Sequence, residues 1–293
     1  MPLVSVIIPC RNERDWIHAC LTSLLRADYP SDRLEIVVVD GMSDDGTRDC
    51  IARLAAENPR IRMLDNPARI TPSALNIAIA NSRGDVILRA DAHSRYPESY
   101  VPDLVRWLGD SGADNVGGVW ITEPGGPGAM ARAIAAAMSH PLGVGNAHFR
   151  IGTREPRWVD TVPFGCYRRD VFERIGLFDE DLIRNQDDEL NVRLIRAGGR
   201  ILLVPDVVCS YNARDSLAKL WRMYYQYGYF KPLVARKVGG VFTWRQLVPP
   251  AFVLALAVSL ILAIAWPATA PLLFAVVAIY LVAVLGTALP VAG

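Results

Sequence analysis

Short apolar runs alternate with amphipathic stretches over the first 91 residues of this 293-residue chain. The apolar runs lie at 3–9, 34–40, 60–65 and 85–91, and the amphipathic stretches at 14–26, 45–57 and 71–82. The runs have the length and β-branched content of buried strands, whereas the stretches between them repeat apolar residues at helical spacing. Strands that alternate with helices in this way predict a parallel sheet with right-handed crossovers.

The alternation becomes less regular after residue 91. Further helices are predicted over 101–108, 129–138 and 187–197, and further strands over 115–121 and 201–205. Pro141–Arg157 contains three glycines and little periodicity, which predicts a long loop of the kind that is usually functional or disordered. The pattern up to residue 212 is that of an α/β domain, with a mostly parallel sheet flanked by helices.

The C-terminal part of the chain is apolar throughout. Leu247–Ala265 and Pro271–Leu289 are each 19 residues long and almost free of polar side chains. A helix of that length spans about 28 Å, close to the roughly 30 Å hydrocarbon core of a bilayer. A buried core helix is the alternative for either stretch, but two in tandem without a charge indicate transmembrane helices.

Charge and the N-terminal sequence predict how these helices are oriented. Arg236, Lys237 and Arg245 precede the first one, and the positive-inside rule places such residues in the cytoplasm. Met1–Cys10 has no leading positive charge and only a short apolar run, which indicates a strand rather than a secretion signal. We therefore expect the α/β domain to face the cytoplasm from the cytoplasmic (inner) membrane. No charged residue lies between Arg245 and Gly293, so we also expect the membrane region to continue beyond Gly293.

The segment before the apolar helices is rich in aromatic and basic residues. Within Ser216–Val238 these are Lys219, Trp221, Arg222, Tyr224, Tyr225, Tyr227, Tyr229, Phe230 and Lys231. Helices of this composition lie at membrane interfaces, although an ordinary packing helix is the alternative. The predicted organisation is an α/β domain over 1–212, amphipathic membrane-interface helices over 213–246 and two transmembrane helices over 247–293.

Charge and cysteine usage exclude several classes of protein. Lysine and arginine number 31 against 30 acidic residues, so no basic excess indicates nucleic-acid binding. The five cysteines are Cys10, Cys20, Cys50, Cys166 and Cys209, and none forms a Cys-x-x-Cys pair. An odd number of widely spaced cysteines, several of them in apolar runs, predicts buried reduced thiols rather than a disulfide framework or a zinc site.

Two of the predicted strands end in an acidic residue. Asp40 ends the run over 34–40, and Asp91 ends the run over 85–91. In an open parallel sheet, ligands bind in the crevice beyond the carboxyl ends of the strands. Two carboxylates there can hold a ribose or base and a divalent cation beside a diphosphate. The sequence therefore predicts a sugar-nucleotide site.

Several short motifs occur in the order in which one enzyme family has them. They are Val4-Ser-Val-Ile-Ile-Pro9 with Asn12-Glu13, Asp40 with Asp44-Asp45-Gly46-Thr47, Ser73-Ala-Leu-Asn76, Asp91-Ala-His93 and Gln186-Asp-Asp-Glu189. Over roughly residues 3 to 212 the chain thus resembles the family 2 glycosyltransferases, which implies a GT-A nucleotide-binding fold. Arg89–His93, Asp160–Gly165 and Asn185–Glu189 are similar more narrowly to the ExoA-like branch, which builds succinoglycan-type exopolysaccharide on a lipid carrier.

The resemblance implies that the turn after the first strand lines the nucleobase of the donor. Pro9, Asn12 and Glu13 occupy this turn. A plain strand–helix turn, with Asn12 as the helix cap, is the alternative for the two polar residues.

The resemblance also gives roles to polar residues near the second strand and in the third motif. Asp40 is expected to contact the uracil or the ribose, since a carboxylate can accept two hydrogen bonds, and a turn former is the alternative. Asn76 is expected to bind substrate. Asp44 and Asp45 precede the next helix, and we interpret both as capping residues because carboxylates favour the positive end of a helix dipole.

Asp91-Ala-His93 stands where most of the family has Asp-x-Asp. A divalent cation at this motif neutralises the donor diphosphate and is held by one or two protein ligands together with phosphate oxygens. We expect Asp91 and His93 to be these ligands, and Asp91 thereby to bind substrate. An imidazole in place of a second carboxylate suits Mn²⁺ better than Mg²⁺, and either cation fits the pattern.

Gln186-Asp187 stands where the family has Glu-Asp. Inverting transfer needs a base that takes the proton of the acceptor hydroxyl, and the resemblance gives this role to Asp187. A helix start at Asp187 and the uncharged Gln186 beside it are expected to keep the carboxylate ionised. Asp188 and Glu189 compete for the role, but on a helix the three point to different faces. Gln186 and Asp188 are expected to lie beside the substrate, and a purely structural acidic turn is the alternative.

The resemblance implies an inverting glycosyltransferase that moves a hexose, most simply glucose from a UDP-sugar, to a lipid-linked saccharide. Only Gln226 matches the Gln-x-x-Arg-Trp motif of processive relatives, so one sugar per acceptor is expected. Alternatives are transfer directly to polyprenyl phosphate and a catalytically silent membrane scaffold. Loss of Asp91 or Asp187 would have favoured the scaffold. Other exopolysaccharide assembly proteins are a further expected class of partner.

Overall fold

A computed structural model describes residues 1–240 and 244–292, with side chains described at 1–240 and 246–286. The strands are β1 (Val4–Cys10), β2 (Leu34–Asp40), β3 (Ile61–Asp65), β4 (Val86–Arg89), β5 (Ser94–Arg95), β6 (Asn115–Glu123), β7 (Arg157–Val159), β8 (Cys166–Arg168) and β9 (Ile201–Asn212). The helices are α1 (Arg14–Leu25), α2 (Thr47–Glu57), α3 (Thr71–Asn81), α4 (Tyr100–Asp110), α5 (Ala129–Ser139), α6 (Pro141–Val144), α7 (His148–Ile151), α8 (Arg169–Ile175), α9 (Gln186–Arg196), α10 (Leu217–Lys237), α11 (Val248–Ala265) and α12 (Ala270–Ala292).

The described strands form one mixed sheet in the order β3-β2-β1-β4-β8-β6-β9-β5, with β7 paired to β9. The four strands β1 to β4 are parallel, and β6 is parallel to β9. Short β8 lies antiparallel between β4 and β6 and joins the two parallel groups. The predicted α/β architecture with a mostly parallel sheet is confirmed.

Helices cover both faces of this sheet, which explains why β1 and β2 read as continuous apolar runs. On one face, Val6 and Ile8 of β1 pack in a cluster with Leu21 of α1. On the other face, Ile7 packs with Leu75 of α3 and Leu190 of α9. Successive side chains of one strand thus enter two different cores.

The predicted loop Pro141–Arg157 is partly wrong. It contains the short helices α6 and α7 and leads directly into β7, which pairs with Ile201–Leu203 of β9. The strand predicted over 201–205 continues to Asn212. Pro205 obscured this continuation, and it lies where the β6–β9 register shifts between Gly117 and Val119. A proline is tolerated at such an irregularity because no ladder hydrogen bond is required there.

Two stretches are long and apolar enough to cross a membrane: Val248–Ala265, which is α11, and Pro267–Gly286, which begins three residues before α12. Almost none of their surface is buried, so large side chains such as Ile264 and Phe274 face outward. The two helices could therefore anchor the chain in a bilayer. Residues 241–243 of the predicted interface segment 213–246 lie outside the described residues. Gly293, the last residue of the predicted membrane segment 247–293, lies outside them as well.

All five cysteines are buried and free, as predicted. Burial raises the pKa of each thiol for which a shift is resolved, and the pKa of Cys209 reaches about 12. These thiols are therefore unreactive core side chains at neutral pH.

Candidate active site

The loops after β1 and β2 are tied together at the carboxyl edge of the sheet. The Asn12 amide group donates to Asp44 Oδ1 over 3.0 Å, and the Asp44 backbone N–H donates to Asn12 Oδ1 over 3.1 Å. The Asn12 backbone N–H donates to Ser43 Oγ over 2.8 Å, and φ of Asn12 is 54°. Helix α1 has Glu13 as its N-cap residue, so Asn12 is not the cap and joins the two loops instead.

Asp40 lies at the end of β2 and its side chain is fully buried. Its carboxylate accepts hydrogen bonds from Ser43 N–H at 2.9 Å, from Ser43 Oγ–H and from Arg48 Nη1 at 2.8 Å. A second nitrogen of Arg48 pairs with Asp65 at the end of the adjacent strand. These contacts match the turn-forming alternative, and the expected contact with uracil or ribose stays a prediction.

The two residues interpreted as caps of α2 behave differently. Asp45 accepts hydrogen bonds from Thr47 N–H at 3.0 Å and from Thr47 Oγ–H at 2.6 Å, at the first residue of the helix. Burial acts to raise the pKa of Asp45, but these hydrogen bonds outweigh it and lower the pKa. Gly46 is the N-cap residue of α2, so Asp45 bonds the first helical residue from the position before the cap. Asp44 pairs with Asn12 rather than with the helix.

His93 follows β4 and faces Glu13 of the first loop. The Nδ1 atom of His93 lies 3.4 Å from Glu13 Oε1, and its ring centroid lies 5.5 Å from that of Tyr211. Burial acts to lower the pKa of His93, but the hydrogen bond to Glu13 and the charges of Asp91 and Glu13 raise it overall. The Nε2 atom is buried and has no hydrogen-bond partner among the described residues.

This arrangement fits a divalent cation held in part by the donor. Among the described residues, no group of three or more His, Cys, Asp or Glu side chains could hold a metal ion. A metal-binding histidine usually has its second ring nitrogen beside a carboxylate, and Glu13 Oε1 lies 3.4 Å from His93 Nδ1. The unpartnered Nε2 is then available as a ligand beside the Asp91 carboxylate, and a diphosphate can supply the remaining oxygens.

Arg89, the last residue of β4, brings the two predicted reactive carboxylates together. Its guanidinium forms an ion pair with Asp187, and another of its nitrogens lies 3.6 Å from Asp91 Oδ1. Arg89 is 8% exposed, and its backbone N–H is bonded to the carbonyl of Gly165. A buried guanidinium between two carboxylates offsets the cost of burying them and fixes their separation.

Asp187 lies in the first turn of α9, which begins at Gln186 with Asn185 as its N-cap residue. Burial raises the pKa of Asp187 above its ordinary value, while the charge and hydrogen bond of Arg89 act in the opposite direction. The expectation that the helix start and the uncharged Gln186 favour ionisation stays a prediction. The structure adds Arg89, whose charge and hydrogen bond favour the ionised form.

The other two acidic residues of this turn have different partners. Asp188 forms an ion pair with Lys231 of α10. Glu189 is buried and accepts a hydrogen bond from Arg193 Nε at 2.6 Å. The three carboxylates thus point to three different neighbours, as predicted from helical geometry.

The remaining predicted site residues are Pro9, Gln186 and Asn76, and the structure gives each of them structural contacts. Pro9 pairs with Val39 in the sheet, and Gln186 is buried at the start of α9. Asn76 on α3 accepts a hydrogen bond from Phe178 N–H at 2.9 Å and donates one to Glu180 Oε1 at 2.9 Å. These contacts fix the segment before α9, and the expected contact of Asn76 with substrate stays a prediction.

Sequence reasoning missed the role of Arg89. Arg89 belongs to the Arg89–His93 motif, whose resemblance to the family indicates no role for its charge. An arginine at the end of an otherwise apolar buried strand needs a buried anionic partner, because an unpaired buried charge is strongly unfavourable. That argument could have indicated a carboxylate opposite β4, although not which one.

Comparison with known proteins shows which sequences this chain is similar to. The sequence model described as "Glycosyl transferase family 2" matches residues 5–176. Succinoglycan biosynthesis protein ExoA of Rhizobium meliloti (strain 1021) is 35% identical over 269 residues, which cover 91% of this chain and 80% of that protein. A dolichyl N-acetyl-α-D-glucosaminyl phosphate 3-β-D-2,3-diacetamido-2,3-dideoxy-β-D-glucuronosyltransferase of Methanococcus voltae is 32% identical, over 86% of this chain and 79% of that protein.

A solved structure has the same fold. The mannosyltransferase PcManGT from Pyrobaculum calidifontis, in complex with GDP-Man and Mn²⁺, superimposes with a TM-score of 0.60. The match covers 94% of this chain and 86% of that one at 23% sequence identity. At this identity the likeness shows a shared architecture, including the mixed sheet and its flanking helices.

Proposed function

Because this chain belongs to glycosyltransferase family 2, we propose that it is an inverting enzyme that transfers a hexose to a lipid-linked saccharide. The observation that carries the proposal is the contact of Arg89 with both Asp187 and Asp91. One carboxylate is suited to accept a proton and the other to bind a cation beside a diphosphate. Their connection through one buried side chain supports a single site for both functions.

The transfer step follows from these positions. The acceptor hydroxyl oxygen forms a bond to the anomeric carbon while the bond from that carbon to the diphosphate oxygen breaks. Asp187 takes the hydroxyl proton, and the nucleoside diphosphate leaves with the electron pair. Arg89 holds the Asp187 carboxylate in place and favours its ionised form until the proton arrives.

Asp91 and His93 would hold a divalent cation, with Mn²⁺ or Mg²⁺ as the candidates. Such a cation supplies electrostatic stabilisation of the departing diphosphate. Glu13 orients the His93 ring through Nδ1 and leaves Nε2 as the ligand atom. Pro9, Asn12, Glu13 and Asp40 would line the nucleoside, since their loops meet at the carboxyl ends of β1 and β2.

The relatives support the choice of acceptor class. The Methanococcus relative is named for transfer to a sugar already linked to dolichyl phosphate, and its name describes a β-linked product. The Rhizobium relative is named for succinoglycan biosynthesis. By extension we propose a role in exopolysaccharide biosynthesis, with UDP-glucose as the donor, a lipid-linked saccharide as the acceptor and other assembly proteins as partners.

The proposed location is the cytoplasmic face of the inner membrane. Residues 1–212 would be the catalytic domain, 213–246 the interface segment and 247–293 the membrane anchor. Trp221, a residue of α10, is 75% exposed although it is large and aromatic. Exposed tryptophan and tyrosine side chains next to apolar helices are typical of the membrane–water interface.

One experiment tests the donor, the acceptor and the stereochemistry together. Membranes containing the full chain are incubated with labelled UDP-glucose, UDP-N-acetylglucosamine or GDP-mannose, and with either polyprenyl phosphate or a polyprenyl-diphosphate-linked sugar. We expect label from UDP-glucose in the lipid-linked saccharide, and a β-anomeric proton by NMR. Product with bare polyprenyl phosphate would contradict the acceptor assignment, and an α-linked product would contradict inversion.

A further inference from the structure

A cluster of aromatic rings lies beside His93, and the side chain of Arg150 packs against these rings. The rings of Trp120 in β6 and Tyr211 in β9 are nearly parallel, with centroids 4.4 Å apart. Phe149 of α7 contacts Trp120 edge to face at 5.2 Å. The guanidinium carbon of Arg150 lies 4.6 Å from the Trp120 centroid and 5.4 Å from those of Tyr211 and Phe149. Aromatic faces attract a cation of this kind and hold it in one orientation.

The contacts of Arg150 leave part of its charge without a partner. Its Nη1 atom is buried and has no hydrogen-bond partner among the described residues. Within the described residues no carboxylate forms an ion pair with Arg150 either. A buried cationic N–H group without an acceptor is costly, so a site of this kind favours a ligand that brings anionic oxygens.

Two further arginines, Arg184 and Arg214, act electrostatically on the same residue as Arg150, namely Tyr227. Burial raises the pKa of Tyr227 in α10, and the positive charges of Arg150, Arg184 and Arg214 all act to lower it. Arg184 Nε donates to Gln226 Oε1 at 3.0 Å. None of the three arginines, here named the arginine cluster, forms an ion pair with a carboxylate in the described parts of the chain.

The arginine cluster is continuous with the metal side of the active site. Arg214 lines a cavity of about 90 Å³ together with His93 and Glu13. The Tyr211 ring that contacts Arg150 also lies 5.5 Å from the His93 ring. The cluster therefore extends from the predicted metal ligands to the inner side of α10.

We propose that the arginine cluster binds a phosphate or diphosphate ester and that the ligand is the diphosphate of the lipid carrier that bears the acceptor sugar. This inference rests on the proposed function and adds a second anion site to it. Guanidinium groups bind phosphate oxygens through paired charge-assisted hydrogen bonds, and aromatic walls exclude water around them. The position beside α10 favours the lipid, because Trp221, Tyr225 and Tyr229 of this helix are 75%, 63% and 68% exposed and the helix precedes the two apolar helices in the chain.

Direct binding to the full chain in phosphatidylcholine nanodiscs tests the proposal without relying on turnover. The probes are geranylgeranyl diphosphate, geranylgeraniol as its uncharged counterpart, and UDP with Mn²⁺. We expect Arg150→Gln and Arg214→Gln each to weaken binding of geranylgeranyl diphosphate about tenfold or more, since a charge-assisted hydrogen bond is lost. UDP affinity and the weak binding of geranylgeraniol are expected to stay unchanged.

The control is Arg106→Gln, because Arg106 also lies over a tryptophan ring but is paired with Asp103 and Asp206. Arg150→Lys keeps the charge, so it should retain most of the affinity and shows whether a loss reflects charge or packing. Unchanged affinity for geranylgeranyl diphosphate in both glutamine variants would overturn the proposal. Weaker UDP binding with unchanged lipid binding would overturn the assignment to the lipid and give the cluster to the donor. Because binding is measured without transfer, failure of the glycosyltransferase assay would leave this result interpretable.

Discussion

Arg89 at the end of β4 forms a partly buried ion pair with Asp187 in the first turn of α9, although 98 positions separate the two residues. Arg89 also lies 3.6 Å from Asp91, so its charge is shared by the predicted base and a predicted metal ligand. Arg89 therefore connects two residues that the sequence presents in separate motifs.

Arg89→Gln should lower transfer strongly while leaving metal-dependent UDP binding intact. Without the guanidinium, Asp187 loses its charged partner and burial raises its pKa further, so less of the base is ionised. We expect a drop of about 10²-fold or more in kcat, the usual scale for losing a proton acceptor. Equal losses in kcat and in affinity for UDP with Mn²⁺ would contradict this account, since Arg89 would then act in donor binding. Arg106→Gln is the matched control.

His93→Asp should keep activity and shift the metal preference from Mn²⁺ towards Mg²⁺, because a carboxylate is a harder ligand than an imidazole. The new carboxylate would face Glu13, which lies 3.4 Å from the present ring. We therefore expect His93→Asp combined with Glu13→Gln to be more active than His93→Asp alone. The measurement is the ratio of initial rates in Mn²⁺ and Mg²⁺. The control is His18→Asp, at an exposed position of α1. An unchanged ratio in both variants would remove His93 from the ligand set.

Glu35→Gln should destabilise the domain at neutral pH but not in acid. Burial acts to raise the pKa of Glu35, but hydrogen bonds from Ser5 and Arg83 outweigh it and lower the pKa. A carboxyl group with a lowered folded-state pKa stabilises above its unfolded pKa of about 4.3, and this contribution is lost as the pH falls through the folded value. We expect a loss of about 1–3 kcal/mol at pH 7, by thermal unfolding of the full chain in detergent.

The difference from the wild type should narrow as the pH falls below about 4. Glu57→Gln, at an exposed position on α2, is expected to have no such effect. A Glu35→Gln difference that stays constant with pH would show that the ionised carboxylate is not the stabilising form.

A chain that ends at residue 246 should still bind membranes in part. Trp221, Tyr225 and Tyr229 follow each other at helical spacing on the exposed side of α10 and would remain in the interface. Changing all three to serine in the shortened chain should release it, whereas Trp158→Ser on β7 should not. Flotation with liposomes measures this. A shortened chain that is fully soluble without salt or detergent would contradict an interfacial role for α10.

The first half of the fold follows from the sequence because its signals are local. Strands β1 to β4 are short apolar runs and helices α1 to α3 lie between them, and the carboxyl ends of parallel strands must meet at one edge. Strand β8 is three residues long and has no periodicity to detect, so only its pairing with β4 and β6 defines it. Helix α7 is only four residues long and likewise has no detectable periodicity. Its packing against β6 through the Trp120 and Phe149 rings is not visible in the sequence.

The chemistry of the site was predictable only in outline. The motifs indicate which residue types are present, but the pKa of Asp187 depends on burial and on Arg89, which is distant in sequence. Asp40 illustrates the opposite case, since Ser43 in its own turn supplies two hydrogen-bond donors and Arg48 at the start of α2 supplies a third. Local geometry of this kind is consistent with the turn-forming alternative that the sequence left open.

The central claim is that Asp187 is the base of an inverting transfer, and Asp187→Asn tests it most directly. The amide keeps the shape of the side chain but cannot take the proton of the acceptor hydroxyl. Asp188→Asn tests the neighbouring carboxylate, which is paired with Lys231, and Asp170→Asn on α8 is the matched control. Transfer from labelled UDP-glucose and binding of UDP with Mn²⁺ are measured for each variant. We expect transfer by Asp187→Asn to fall by about 10²–10⁴-fold while its UDP affinity stays close to that of the wild type. Undiminished transfer by Asp187→Asn, or a loss of transfer confined to Asp188→Asn, would contradict it.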